Sequence, residues 1–133
     1  MAVEDEYTDV LQNIEWSILA VYNEEATLLD LDVIEALEVL IRGYGLEEQG
    51  RGWPRAKLSS RAALVFDTCR EVCEWRLGRA TMSTSGGDRL APPPVPLGAV
   101  VRCLKRLRKS ARFWNERSGR QGYLEYIQQF LPT

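Results

Sequence analysis

The stretch "LGAVVRCLKRLRKSARFW", residues 97–114, decides the fold. Its apolar residues recur every three or four positions, which places them on one side of an α-helix. They are Leu97, Val100, Val101, Leu104, Leu107, Ala111 and Trp114. A helix with such an apolar side must bury it against neighbouring elements, so the stretch predicts a helix packed within a larger helical core.

Four other segments have the same helical spacing of apolar residues. They lie at 8–23, at 29–45 with a capping box at Asp32, at 58–79, and at 120–131, where Tyr123 or Leu124, Ile127 and Phe130 would be buried. The chain shows no sustained two-residue alternation and no repeat of about 20 to 50 residues. We therefore expect an all-α protein, a compact bundle of four to five helices, in which residues 1–133 form a single domain. A loop rich in proline, glycine and serine is expected inside it at 80–96.

The composition is typical of a soluble globular protein, with 45% hydrophobic and 27% charged residues. No apolar run approaches the roughly 20 residues that cross a bilayer, which predicts no membrane span. The start of the chain, "MAVEDEYTDV", is acidic where a signal peptide would be basic and then apolar. Three cysteines, an odd number, favour free thiols over a disulfide framework. A cytoplasmic location is the expectation.

The net charge of −2 conceals a strong separation of charge along the chain. Residues 1–50 hold 13 acidic and 1 basic residue, residues 51–98 hold 4 and 8, and residues 99–133 hold 2 and 8. Their net charges are −12, +4 and +6. The simplest interpretation is that the acidic front packs against the basic back within one fold, although pairing between subunits would satisfy the same pattern.

The chain lacks the residues and motifs on which several common classes of enzyme depend. The chain has no histidine, which excludes His-based catalytic triads and the Glu-x-x-His pairs of di-iron bundles. Neither a Walker-type phosphate loop nor a dinucleotide fingerprint is present. Cys69 and Cys73 share one side of a helix, but they lie in its apolar stripe, where cysteine behaves as a small hydrophobic residue. We expect no enzyme activity, no metal and no cofactor.

Two helices carry large apolar residues opposite their main apolar stripe: Trp16 and Leu19 in the first, Leu64 and Trp75 in the third. Exposed apolar patches promote association, and aromatic anchors are enriched at interfaces. One interpretation is that these helices are central and pack on two sides within the subunit. The favoured hypothesis is a non-enzymatic, self-associating helical module, a homodimer or a binder of a protein partner, with these four residues at the interface.

The side of the 97–114 helix opposite its apolar residues is basic. We call this set the basic ridge: Arg102, Lys105, Arg106, Lys109 and Arg112. It extends about 15 to 20 Å at 1.5 Å per residue, and Phe113 falls at its end. Basic groups beside an aromatic ring can hold phosphates and stack a base. The ridge is thus either a solvated face partly neutralised by the acidic helices, or a surface for nucleic acid, another polyanion or an acidic protein.

Overall fold

Five α-helices form the regular structure of the computed structural model, which describes residues 2–24, 28–45, 57–79 and 93–129. They are α1 (Ala2–Glu24), α2 (Asp30–Gly45), α3 (Ser60–Arg76), α4 (Leu97–Arg117) and α5 (Gly119–Gln128). No strand occurs in the described ranges, and the helices pack into one bundle, which confirms the predicted all-α fold. None of the five helices is long and apolar enough to cross a membrane. Three predicted features lie outside the described residues: the loop that two glycines and a proline predict at 46–55, residues 80–92 of the predicted 80–96 loop, and Phe130.

Helices α1 and α3 lie side by side and run in opposite directions. Near one end of α1, Asp9 forms an ion pair with Arg76 at 3.1 Å, and further along Ser17 Oγ is 3.7 Å from Cys69 Sγ. The start of α3 is fixed by Ser59, whose side chain accepts a hydrogen bond from the backbone N–H of Ala62 at 3.1 Å. This hydroxyl satisfies one of the free N–H groups of the first turn.

Helix α4 packs against α1, α2 and α5 with its apolar side inward. The side chains of Val100, Leu104, Leu107 and Ala111 have no exposed surface. On the outside of the bundle, Arg112 of α4 forms an ion pair with Glu38 of α2. The acidic front and the basic back of the chain therefore meet within one fold, as the simplest interpretation of the charge pattern predicts.

The chain reverses sharply between α4 and α5. Gly119 has a φ of +69°, a left-handed conformation that glycine adopts without strain. At Gly122, an added Cβ would lie 2.8 Å from Trp114 Cε3 and still closer to Ser118, so only glycine lets α5 fold back this tightly on α4. The reversal buries Tyr123 and Ile127, while Leu124 is half-buried. The alternative between Tyr123 and Leu124 is thus resolved in favour of Tyr123.

Candidate polyanion-binding surface and cleft

The basic ridge lies on the solvent side of α4. All five of its side chains are exposed, and so is Phe113, at 45% of its surface. Because the apolar side of α4 is buried in the core, the basic side chains on its opposite side face the solvent. The structure thus places the six predicted residues on one outer surface of the bundle.

The members of the basic ridge differ in their partners. Arg112 pairs with Glu38, and this pair is exposed on both sides, so water screens it strongly. Among the described residues, Arg102, Lys105 and Lys109 take part in no ion pair. No acidic side chain in the described part of the chain neutralises these three cations.

Arg106 differs from the other four because it also joins three helices. The phenol groups of Tyr126 in α5 and Tyr7 in α1 lie close enough to its guanidinium to interact with it. Burial lowers the pKa of Arg106, but the two phenol groups raise it more, and the net pKa lies above the usual range. Arg106 thus remains positively charged while its side chain stays exposed beside α1 and α5.

A cleft of about 320 Å³ opens between α4 and α5 beside Arg106. Its lining side chains are Arg106, Lys109, Ser110, Phe113, Trp114 and Tyr126. The cleft therefore combines two cations with three aromatic rings, a composition that suits a flat ring bearing a nearby negative charge.

The aromatic rings of the cleft hold one another in place. Phe113 and Trp114 meet edge to face, with ring centroids 4.9 Å apart and planes at 87°. Trp114 and Tyr126 are 6.3 Å apart across the two helices. The guanidinium carbon of Arg117 lies 4.9 Å from the Phe113 centroid, a cation–π contact that adds a further positive charge at this end of the ridge.

Sequence reasoning found half of the cleft lining. Lys109, Arg106 and Phe113 were predicted, whereas Trp114 was assigned only to the core and Tyr126 was not singled out. Trp114 is half-buried and serves both the core and the cleft. The four-residue spacing from Phe113 to Arg117 is a signal that could have found the cation–π contact. The position of Tyr126 depends on how α5 folds back, which periodicity within one helix does not contain.

The four predicted interface residues divide into two pairs. Trp16 and Leu64 are exposed, at 42% and 47% of their surfaces. Leu19 is half-buried and packs against the core, while Trp75 is half-buried with the guanidinium carbon of Arg76 6.0 Å from its ring centroid. Two further apolar residues at the start of α2, Leu29 and Leu31, are exposed at 53% and 51% and were not anticipated.

Inside the bundle, Glu15 is a buried acid that sequence reasoning missed. Its side chain has no exposed surface, and neither carboxyl oxygen has a hydrogen-bond partner among the described residues. Burial raises the pKa of Glu15 to about 8, against the opposing effect of the Arg106 charge. The signal was its helical position, four residues after Leu11 and three before Ile18, in the apolar stripe of α1.

All three cysteines are free, and Cys69 and Cys73 are buried as predicted from their place in the apolar stripe of α3. Cys103 is buried as well, in α4. Burial raises the pKa of Cys69 and of Cys103 to about 12, and that of Cys73 well above its usual range. These thiols are therefore protonated at neutral pH and unsuited to nucleophilic chemistry. The described part of the chain contains no group of three or more histidine, cysteine or acidic side chains placed to hold a metal ion.

Two features of the bundle are therefore candidates for binding a partner. One is the basic ridge with its aromatic cleft. The other is the exposed residues Trp16 and Leu64, which belong to the adjacent helices α1 and α3. The ridge offers charge and stacking, and the exposed pair offers apolar contact. Comparison of the chain with family models, with curated proteins and with solved structures found no match, and its function is therefore inferred from the geometry.

Proposed function

We propose that this protein binds nucleic acid or a related polyanion through the basic ridge, as a non-enzymatic helical module. The observation that carries the proposal is the row formed by Arg102, Lys105 and Lys109, which have no counter-ion among the described residues and lead into the aromatic cleft. Phosphate groups are the natural partners of such a row, since they repeat along a chain at fixed spacing.

The overall acidity of the protein does not oppose this proposal. The acidic residues are concentrated in the first 50 positions, whereas the last 35 carry a net charge of +6. Only one member of the ridge, Arg112, is neutralised by an acid among the described residues. A local positive field can then attract a polyanion even though the net charge is −2.

The test is fluorescence anisotropy of a labelled oligonucleotide against the purified protein from about 50 to 300 mM salt. Contacts to about three or four phosphates should make affinity for a single strand fall about 20- to 50-fold between 50 and 200 mM salt. The variant Lys105→Glu, Lys109→Glu should abolish binding. These two positions are preferable to Arg106, whose reversal would also disturb its contacts with Tyr7 and Tyr126.

The matched control is Lys57→Glu, Arg61→Glu, which changes the net charge equally at two exposed positions by the start of α3. We expect this control to bind like the wild type apart from a small general electrostatic effect. Absence of binding at 50 mM salt would contradict the proposal, and so would an equal loss of affinity in both double variants.

A second candidate function is self-association or protein binding through Trp16 and Leu64, with Leu19 and Trp75 at its edge. The exposure of the first two residues favours it, because large apolar side chains in water promote association. A cytoplasmic location forms part of both proposals. It is supported by the three free thiols, which suit a reducing compartment.

A further inference from the structure

The cleft between α4 and α5 differs chemically from the rest of the basic ridge. Along Arg102, Lys105 and Lys109 the surface offers only charge, but at Phe113 it offers aromatic rings from both helices. A purely electrostatic ligand such as polyphosphate has no group that would use these rings. Nucleobases do, because every base has a face that stacks on an aromatic side chain.

Phe113 is fixed in a position suited to stacking. It lies on the regular helix α4, meets Trp114 edge to face at 4.9 Å, and has Arg117 at 4.9 Å from its centroid. These contacts limit the rotation of the ring while 45% of its surface stays in solvent. A base would therefore meet a ring that is already oriented, which lowers the entropic cost of binding.

The size of the cleft selects one base rather than a duplex. Its volume of about 320 Å³ lies at the lower end of the roughly 300 to 1,000 Å³ of ligand sites. In a duplex each base is stacked and paired, and bringing one into a side cleft costs a few kcal/mol for flipping it out. An unpaired base in a single strand avoids most of this cost.

The spacing of the cations matches a short piece of a single strand. At 1.5 Å per residue, Arg102 and Lys109 are about 10 Å apart along the axis of α4, and Phe113 is about 6 Å beyond Lys109. Successive nucleotides of a stacked strand advance about 3.4 Å. The row of three cations thus spans about three nucleotides and leads directly to the ring.

We infer that the ligand of the basic ridge is single-stranded nucleic acid, with one unpaired base held in the cleft against Phe113 and the phosphates beside it on Lys109, Lys105 and Arg102. This inference rests on the proposed function and gives it a ligand class. Arg117 and Ser110 complete the site, the first as a further cation at the ring and the second as a hydroxyl in the cleft wall.

The experiment compares four probes at 50 mM salt: a single-stranded oligonucleotide of about 12 residues, its duplex, an abasic oligonucleotide of the same length, and polyphosphate. Each is measured against wild type, Phe113→Leu and Phe113→Tyr. Leucine keeps the apolar bulk but has no stacking face, so we expect Phe113→Leu to lose roughly 5- to 100-fold in affinity for the single strand only. Phe113→Tyr keeps an aromatic face and should bind as the wild type does. Leu31→Ala, which removes an exposed apolar side chain from α2, away from the basic ridge, should leave all affinities unchanged.

The outcomes separate the inference from the proposal on which it rests. Tighter binding of the single strand than of the other probes, lost in Phe113→Leu and kept in Phe113→Tyr, supports both. If duplex, abasic strand and polyphosphate bind as tightly as the single strand, and Phe113→Leu changes nothing, the base-stacking inference fails while the polyanion surface stands. If no probe binds, both fail.

Discussion

At the scale of single residues, Glu15 makes the most specific prediction. An unpaired acid with no exposed surface stays protonated in the folded protein, and its pKa is about 8, against 4.5 as the ordinary value. Because the folded state holds this proton more tightly than the unfolded state, proton binding by Glu15 adds to the free energy of unfolding, and this contribution is complete below pH 4.5. The contribution decreases as pH rises above 4.5 and is lost near pH 8. The expected loss is on the order of a few kcal/mol, since one unit of pKa corresponds to about 1.4 kcal/mol.

The measurement for Glu15 is the free energy of unfolding in urea at several pH values between 5 and 8, for wild type and Glu15→Gln. Glutamine has nearly the same shape but no proton to lose, so the difference between the two curves isolates this residue from the other titrating groups. The free energy of unfolding of Glu15→Gln should increase steadily relative to that of the wild type as pH rises. Parallel curves would show that Glu15 is already ionised or solvated in the folded state.

Residue by residue, the sequence predicts the apolar interior better than the polar one. Cys69 and Cys73 fall in an apolar stripe, and their burial follows from helical periodicity alone. Glu15 occupies an equally buried position of α1, but a rule that assigns acids to the surface overlooks it. Arg106 was predicted as a member of the basic ridge, and its contacts with Tyr7 and Tyr126 come from two other helices, which no local pattern reveals.

At the scale of elements, helix centres were predictable and helix ends were not. The fourth helix was predicted over 97–114 and extends to Arg117, and the third begins one residue after its Ser59 cap. The first starts at Ala2 rather than at Thr8. Its first turn contains Ala2, Val3 and two acidic residues, which helix N-termini favour, but no apolar periodicity that would mark a helix. The sequence also could not show how closely α5 approaches α4, because the contact of Gly122 with Trp114 appears only in the packed structure.

Gly122 gives a prediction at the scale of elements. In Gly122→Ala the new methyl group would lie 2.8 Å from Trp114 Cε3, so α5 must shift away from α4. We expect a net loss of about 1 to 3 kcal/mol in stability, despite the higher helix propensity of alanine. Thermal unfolding followed by circular dichroism measures it, and the same variant should bind oligonucleotides more weakly because the cleft is displaced.

The matched control for Gly122 is Gly98→Ala, in the exposed first turn of α4. There an added Cβ would meet only the tip of Arg102, at 3.9 Å, so the substitution should stabilise the protein slightly through helix propensity. Equal behaviour of the two variants would mean that α5 accommodates the methyl group and that the tight reversal is not required.

At the scale of the whole molecule, the charge pattern and the architecture have a common explanation. The acidic α2 packs against the basic α4, and Glu38 and Arg112 join them on the outside. Apolar burial sets this arrangement, since the core residues of both helices are closed to solvent. The acidic and basic parts of the sequence thus meet at the contact of α2 with α4, and the excess of positive charge stays on the basic ridge.

The oligomeric state is the last property that the exposed residues predict. Trp16 and Leu64 lie on neighbouring helices at 42% and 47% exposure, and we expect the protein to form a dimer that buries both. Sedimentation velocity from about 5 to 100 µM should show this dimer, and Trp16→Gln, Leu64→Gln should convert it to a monomer. The melting temperature of that monomer should change little apart from the loss of dimerisation, because neither side chain supports the core. Leu29→Gln, Leu31→Gln removes a comparably exposed apolar pair at the start of α2, one residue before it and one within it, and should leave the dimer intact. A wild-type protein that remains monomeric at every concentration would refute self-association, and dissociation of the dimer by the α2 variant instead would move the interface to that end of the bundle.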